Sequence, residues 1–127
     1  MRDHKRVLAI EDDRELGYLY ESFLGEEGYE VMVAHDADEA MRLLRSRPDV
    51  VLLDLMLPGT DGYTLLRRIR SRPETRDVPV VVVSASLPPG RQHVRGADAV
   101  VHKPFEFNGL LRAIEGVQHH SLVAHTA

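Results

Sequence analysis

Five short apolar runs alternate with segments of helical periodicity along this chain of 127 residues. The runs cover residues 6–10, 29–34, 50–53, 78–84 and 99–102. Between them, apolar residues recur three and four positions apart, as in helices that pack by one face. Strands that alternate with helices form a parallel sheet covered on both sides, with right-handed crossovers. The pattern and the length together predict a single α/β domain.

The central run, residues 50–53, has four apolar residues that lead directly into Asp54. An unbroken apolar run of this kind indicates a strand that is buried on both faces. Ligands bind beyond the carboxyl ends of the strands in an open parallel sheet, so Asp54 is placed for chemistry. On this stretch alone, an acid that ends the strand or caps the next helix is an equally good interpretation.

The composition argues against several classes of function. A net charge of -4 supplies no basic excess for phosphate contacts, so direct binding to nucleic acid is not expected. The chain has no cysteine, which excludes disulfides and thiol chemistry. No apolar run approaches the roughly 20 residues that span a bilayer, and the N-terminal residues do not resemble a signal peptide. We expect a cytoplasmic protein that does not insert into membranes.

Polar side chains follow four of the predicted strands at what should be one edge of the sheet. They are Glu11, Asp12, Asp54, Ser84 and Lys103. Converging carboxylates repel one another unless a cation neutralises them, and oxygen ligands favour a hard cation such as Mg²⁺. A lysine and a hydroxyl beside that metal would stabilise a transferring phosphoryl group. The nucleophile would be a carboxylate.

The chain resembles the receiver domain of two-component response regulators from about residue 5 to residue 117. The resemblance rests on five motifs in the expected order: Glu11-Asp12, the 53–62 segment around Asp54, Ser84-Ala85, Gly96-Ala97-Asp98 and Lys103-Pro104-Phe105. It implies a flavodoxin-like, CheY-like (βα)5 fold with a doubly wound parallel sheet of order 2-1-3-4-5. We therefore expect a receiver domain over residues 5–118 and a frayed C-terminal tail over residues 119–127.

The same resemblance implies how a metal would be held. Asp12 is expected to bind Mg²⁺ directly and Glu11 through a water molecule, with Asp54 as a further ligand. The backbone carbonyl of Met56 is expected to complete the protein ligands. Asp13 lies just past the acidic pair, and we interpret it as the N-cap of the first helix instead of a ligand.

For the phosphoryl group, the resemblance implies that Asp54 is the acceptor. Ser84 is expected to donate a hydrogen bond to a phosphoryl oxygen, and Lys103 to form an ion pair with the group. The Lys103–Pro104 peptide bond is expected to be cis. These roles describe autocatalytic transfer and self-dephosphorylation, so we do not expect an enzyme that turns over an external substrate.

The implied function is a phosphorylation switch in a two-component system or phosphorelay. The donor would be a phosphohistidine on a sensor histidine kinase or a histidine phosphotransfer protein. Because only a short tail follows the last predicted helix, we expect no output domain, and the output would be a contact with a downstream target protein.

Two other functions remain open on the sequence. An aspartate-nucleophile phosphohydrolase would use similar chemistry, but such enzymes usually carry an acid two residues after the nucleophile, where this chain has Met56. A receiver-like module that binds its partner without phosphorylation is the second. All five motif positions are chemically competent for phosphorylation, which argues against this module.

The chain departs from the family between its fourth and fifth strands. Residues 86–95 are too few for the usual helix, and Pro88-Pro89-Gly90 interrupts them. We predict a mobile loop with at most a short helix near residues 91–95, held by few apolar contacts. Val100 replaces the aromatic residue that usually lies three positions before the lysine.

Two groups of basic residues have simpler interpretations. Arg67, Arg68 and Arg70 are predicted to form a solvated helix face. The histidines of the tail lack the spacing of metal ligands, so metal binding there is not expected.

Overall fold

The computed structural model describes residues 5–126, with side chains through Gln118. Strands and helices alternate along nearly the whole chain, as predicted. In chain order, the elements are β1 (Lys5–Ile10), α1 (Arg14–Glu26), β2 (Tyr29–Ala34), α2 (Ala37–Leu43), a 3-10 turn (Leu44–Ser46), β3 (Val50–Leu53), β4 (Met56–Leu57), β5 (Thr60–Asp61), α3 (Gly62–Ser71), β6 (Val80–Ser84), β7 (Ala99–His102) and α4 (Phe107–Thr126). No helix within residues 5–126 is both long and apolar enough to cross a bilayer.

The main sheet has five strands, all paired in parallel, in the order β2-β1-β3-β6-β7. Counting only these strands, the order is 2-1-3-4-5, which confirms the predicted fold. Strands β4 and β5 form a separate antiparallel hairpin just after Asp54.

Two apolar clusters cover the two faces of the sheet. Alternate residues of β1 point to opposite faces, so Leu8 packs with helices α2 and α3, while Val7 packs with α1 and α4. All four residues of β3 are buried, as the unbroken apolar run predicted. Full burial of an aliphatic side chain contributes about 1.5–3 kcal/mol, so this strand holds the sheet together from its centre.

Acidic side chains cap the first three helices. Asp13 accepts hydrogen bonds from the backbone N–H groups of Glu15 and Leu16, at 3.0 and 3.3 Å, which confirms its predicted role as an N-cap. Asp36 caps α2 by accepting from Glu39 N at 2.8 Å, as the Asp36–Glu39 spacing indicates. Asp61 caps α3 by accepting from Tyr63 N at 3.1 Å.

The last helix is longer than predicted. It continues to Thr126. The prediction of a frayed tail over residues 119–127 was therefore wrong for the backbone of residues 119–126. Residue 127 lies outside the described part. Apolar periodicity indicates only which part of a helix is buried. A helix that has already formed extends by one hydrogen bond per residue, with no further nucleation cost. The boundary between domain and tail stays a prediction.

The segment between β6 and β7, residues 85–98, contains no helix, and the structure describes all of it. This confirms the predicted loop. Leu87 and Val94 are buried in the cluster that also contains residues of α3, and Ala97 packs against it, so three apolar side chains hold the loop. His102 adds a side-chain contact to the carbonyl of Arg91. The mobility of the loop stays a prediction.

Arg70 is a structural residue, so its assignment to a solvated face was wrong. Its guanidinium donates to the carbonyl oxygens of Gly96, Arg76 and Val78, at 2.8, 2.8 and 2.6 Å. It also donates to Asp98 at 2.9 Å, and Asp98 accepts from the backbone N–H of Val80. Arg67 and Arg68 are exposed, as predicted. Arg70 therefore joins α3 to the loops on both sides of β6.

Candidate functional site

The candidate site lies at the carboxyl ends of the central strands. Glu11 follows β1 and Asp54 follows β3, and the two residues are only 2% and 7% exposed. Backbone hydrogen bonds hold these ends together: Asp54 N donates to Ile10 O at 3.1 Å, and Glu11 N to Ala34 O at 2.8 Å. The parallel register thus brings two carboxylates that are far apart in sequence to one edge.

Lys103 reaches both of these carboxylates from the end of β7. Its Nζ donates to Glu11 Oε1 at 2.7 Å and to Asp54 Oδ2 at 3.0 Å. The backbone N–H of Lys103 donates to Ser84 O at 3.0 Å, which fixes the start of this segment against β6. The Lys103–Pro104 peptide bond is cis, as predicted.

Burial and neighbouring charges shift the pKa values of both Glu11 and Lys103. Burial raises the pKa of the Glu11 carboxyl; the hydrogen bond from Lys103 opposes this change, and the charge of Asp54 adds to it. Burial works to lower the pKa of Lys103, but its hydrogen bonds to Glu11 and Asp54 outweigh burial and raise that pKa. The ammonium therefore stays charged, and it is shared between the two carboxylates.

Glu11, Asp12 and Asp54 could hold a metal ion together. Each offers one carboxylate oxygen, and the three oxygens lie within 4.8 Å of one another. Asp12 is exposed, whereas the other two are buried, so the group is open to solvent on one side. Mg²⁺ uses one or two carboxylates and keeps several waters, which this donor set fits. The backbone N–H of Met56 donates to Asp54 Oδ1 at 3.0 Å; the use of its carbonyl as a ligand stays a prediction.

Ser84 is fully buried at the end of β6. Its hydroxyl lies 2.9 Å from the hydroxyl of Ser86 and accepts a hydrogen bond from Ser86 N at 3.2 Å. Within the part of the chain that the structure describes, Ser86 is its hydrogen-bonding partner, and Asp54 is not. The structure thus places all the predicted site residues at one edge and joins Ser86, from the loop after β6, to Ser84.

An aromatic cluster anchors the chain just beyond Lys103. Phe105 stacks on Tyr20 with ring centroids 6.3 Å apart, and Phe107 stacks on Phe23 at 4.5 Å. Burial, followed by the charges of Glu11 and Asp54, raises the pKa of the Tyr20 hydroxyl, which therefore stays neutral. Because α1 and α4 both contribute rings, the cluster fixes the position of the lysine-bearing segment.

Two glycines shape the turn that follows Asp54. Gly59 has a φ of 74°, a conformation that glycine adopts without steric cost, and it lies in the turn between β4 and β5. Gly62 packs against the backbone of Leu55, and a Cβ atom added there would lie 2.4 Å from Leu55 Cα. The hairpin can therefore fold back against the site only with glycine at position 62.

Comparison with known proteins identifies the family. The family model described as the response regulator receiver domain matches residues 7–115. This chain belongs to the response regulator receiver domain family. The receiver domain is 35% identical over 118 residues to the transcriptional regulatory protein CpxR of Klebsiella pneumoniae. It is 36% identical over 119 residues to the phosphate regulon transcriptional regulatory protein PhoB of Rhizobium meliloti.

Each of these matches covers 88% of this chain but only 48% and 51% of the relatives, so this chain spans about half the length of the curated relatives it matches. Among solved structures, the receiver domain of the Francisella response regulator 1452 superposes with a TM-score of 0.81 at 26% identity, covering 93% of this chain and 99% of that one. The structure of Brucella abortus NtrX superposes with a TM-score of 0.84 at 28% identity, and the match covers 97% of this chain and 28% of that one. These likenesses agree with the observed sheet order.

Proposed function

We propose that this receiver domain takes a phosphoryl group from a phosphohistidine onto Asp54, with Mg²⁺ held by Glu11, Asp12 and Asp54. One observation carries the proposal. The buried Asp54 carboxylate receives hydrogen bonds from the Lys103 ammonium and from the Met56 backbone, beside two further acids. A carboxylate held in this way is oriented for attack, and the groups that would stabilise the transferred charge are already in place.

The transfer is a displacement at phosphorus. An Asp54 oxygen forms the new P–O bond while the P–N bond of the phosphohistidine breaks, and its electron pair returns to the imidazole. The charge that develops on the phosphoryl oxygens is stabilised by Lys103, whose ammonium is within reach of the same carboxylate. Mg²⁺, when bound, neutralises negative charge on the phosphoryl oxygens and the carboxylates.

Glu11 has a second task beside its proposed role as a metal ligand. Its carboxylate is 2.7 Å from Lys103 Nζ, so it holds the ammonium at the site before any phosphoryl group arrives. Its other oxygen accepts from the backbone N–H of Asp13 at 3.2 Å. Glu11 therefore connects the lysine to the start of α1.

The proposed partners follow from this chemistry. A sensor histidine kinase or a histidine phosphotransfer protein supplies the phosphoryl group, and a downstream protein binds the phosphorylated form. The receiver domain acts on itself and does not turn over an external phosphate ester; the residue two positions after Asp54 is Met56 and not an acid. The relatives are transcriptional regulatory proteins, and this supports a role in signalling for the present chain.

Phosphorylation by a small donor tests the proposal. Incubation with acetyl phosphate and Mg²⁺ should add one phosphoryl group by intact mass, and Asp54→Asn should abolish that adduct. Asp77→Asn, which changes an exposed acid, is the matched control and should leave the adduct unchanged. An undiminished adduct in Asp54→Asn would refute the acceptor assignment. No adduct with acetyl phosphate or with any phosphohistidine donor would favour a module that binds without phosphorylation.

A further inference from the structure

Ser86 is the hydrogen-bonding partner of the Ser84 hydroxyl, and it has no part in the function proposed above. We propose that Ser86 is a positioning residue, which directs the hydroxyl proton of Ser84 toward the phosphoryl group on Asp54. The inference rests on the proposed phosphorylation of Asp54. It adds a residue from the loop of residues 85–98 to the groups that act on the site.

Two hydrogen bonds join these serines. Ser86 N donates to Ser84 Oγ at 3.2 Å, and the two hydroxyl oxygens are 2.9 Å apart. Ser84 is fully buried, whereas Ser86 is exposed. A serine that bonds a backbone group two residues away forms a local turn. This turn fixes the Ser84 side chain at the point where β6 ends and the loop begins.

The donor and acceptor capacity of the Ser84 hydroxyl determines how the contact with Ser86 affects the site. A serine hydroxyl has one proton to donate and two lone pairs to accept with. The backbone N–H of Ser86 occupies one lone pair of Ser84. If the Ser86 hydroxyl donates as well, both lone pairs are occupied, and the proton of Ser84 is available for another acceptor. If the Ser84 hydroxyl instead donates to the Ser86 hydroxyl, its single proton is engaged in that hydrogen bond, and none is available for a phosphoryl oxygen.

A phosphoryl group on Asp54 selects between these two directions. Its oxygens accept hydrogen bonds, and β6 lies directly beside β3, the strand that leads into Asp54. The favoured arrangement is a chain in which Ser86 donates to Ser84 and Ser84 donates to the phosphoryl oxygen. Hydrogen bonds in such a chain polarise one another, so each strengthens its neighbour. Ser86 is exposed, so its own oxygen can accept from water in this arrangement.

Beryllofluoride, a phosphoryl analogue that binds Asp54 without a donor molecule, allows the affinity to be measured by fluorine NMR in the presence of Mg²⁺. We expect Ser86→Ala to weaken its binding about three- to tenfold, because one hydrogen bond in the chain is lost. Ser86→Thr keeps the hydroxyl and should bind within about twofold of the unmodified protein. Ser86 is exposed, so neither variant should unfold, and their Mg²⁺ affinity should be unchanged.

A double-mutant cycle separates action through Ser84 from direct action. In a Ser84→Ala background, Ser86→Ala should cause no further loss of beryllofluoride affinity. A full additional loss in that background would overturn the inference, since Ser86 would then contact the phosphoryl group itself. Equal affinities of the unmodified protein and Ser86→Ala would also overturn it, while Asp54 phosphorylation would still stand. If the unmodified protein forms no adduct with beryllofluoride or acetyl phosphate, both the proposed function and this inference fail.

Discussion

The Lys103 ammonium lies closer to Glu11 than to Asp54, at 2.7 Å from Glu11 Oε1 and 3.0 Å from Asp54 Oδ2. The lysine is therefore shared between a proposed metal ligand and the proposed acceptor. A cation bound by Glu11, Asp12 and Asp54 would be repelled by the nearby Lys103 ammonium. The ammonium and Mg²⁺ should compete for the same carboxylates, and this has a measurable consequence.

We expect Lys103→Met to bind Mg²⁺ about fivefold more tightly or better, although it should be phosphorylated poorly. Two unit charges about 4 Å apart interact by about 1 kcal/mol even in bulk water, and the repulsion of a divalent ion would be larger. Isothermal titration calorimetry at low salt measures the affinity. Lys5→Met is the control, because Lys5 is exposed at the start of β1, at the opposite edge of the sheet. Unchanged or weaker Mg²⁺ binding by Lys103→Met would contradict the competition.

The loop of residues 85–98 should respond to the state of Asp54. It contains no helix, and Leu87 and Val94 are its buried apolar contacts, so its local opening should cost little free energy. Amide hydrogen exchange with and without beryllofluoride should show changed protection in this loop. Helix α2 serves as the internal control and should not change. Equal protection across residues 84–101 in a confirmed adduct would rule out this loop as the route of the signal.

Arg70 should contribute measurably to stability. Replacement by Met removes donors from three backbone carbonyls and from Asp98, and we expect a loss of about 1–3 kcal/mol in the free energy of unfolding. Arg70→Lys should not restore it, because one ammonium cannot reproduce the guanidinium fork. Urea denaturation measures both variants. Arg67→Met, on an exposed side chain, should change stability by less than about 0.5 kcal/mol; a similar loss there would remove the distinction between the two arginines.

The Glu39 carboxylate should make stability depend on pH. The hydrogen bond from the His35 backbone N–H lowers the pKa of Glu39 in the folded state. A depressed pKa contributes stability that is present above the unfolded value of about 4.3 and is lost as pH falls through the folded pKa. Glu39→Gln should therefore be less stable than the unmodified protein at pH 7, and the difference should shrink towards pH 3. A difference that stays constant with pH would show that the carboxylate charge plays no part.

Much of this architecture follows from the sequence because its signals are local. Apolar runs next to helical periodicity identify the five strands, and parallel connection places the residues that follow them at one edge. Glu11, Asp54 and Lys103 each follow one of these strands, so the sequence predicts that they lie close together. The interruption by Pro88-Pro89-Gly90 likewise indicates the missing helix, because proline removes backbone donors.

Only the tertiary structure decides how those residues share their charges and protons. The Lys103 bonds to Glu11 and Asp54 connect positions 92 and 49 residues apart. Their lengths depend on packing of the sheet and of the aromatic cluster, which no local pattern encodes. The hydrogen bonds from Arg70 to the loops on both sides of β6 also depend on tertiary packing. Nothing in the local sequence distinguishes Arg70 from the exposed Arg67 and Arg68. The sequence therefore determines which side chains reach the site, and side-chain packing across the sheet determines which of them bond.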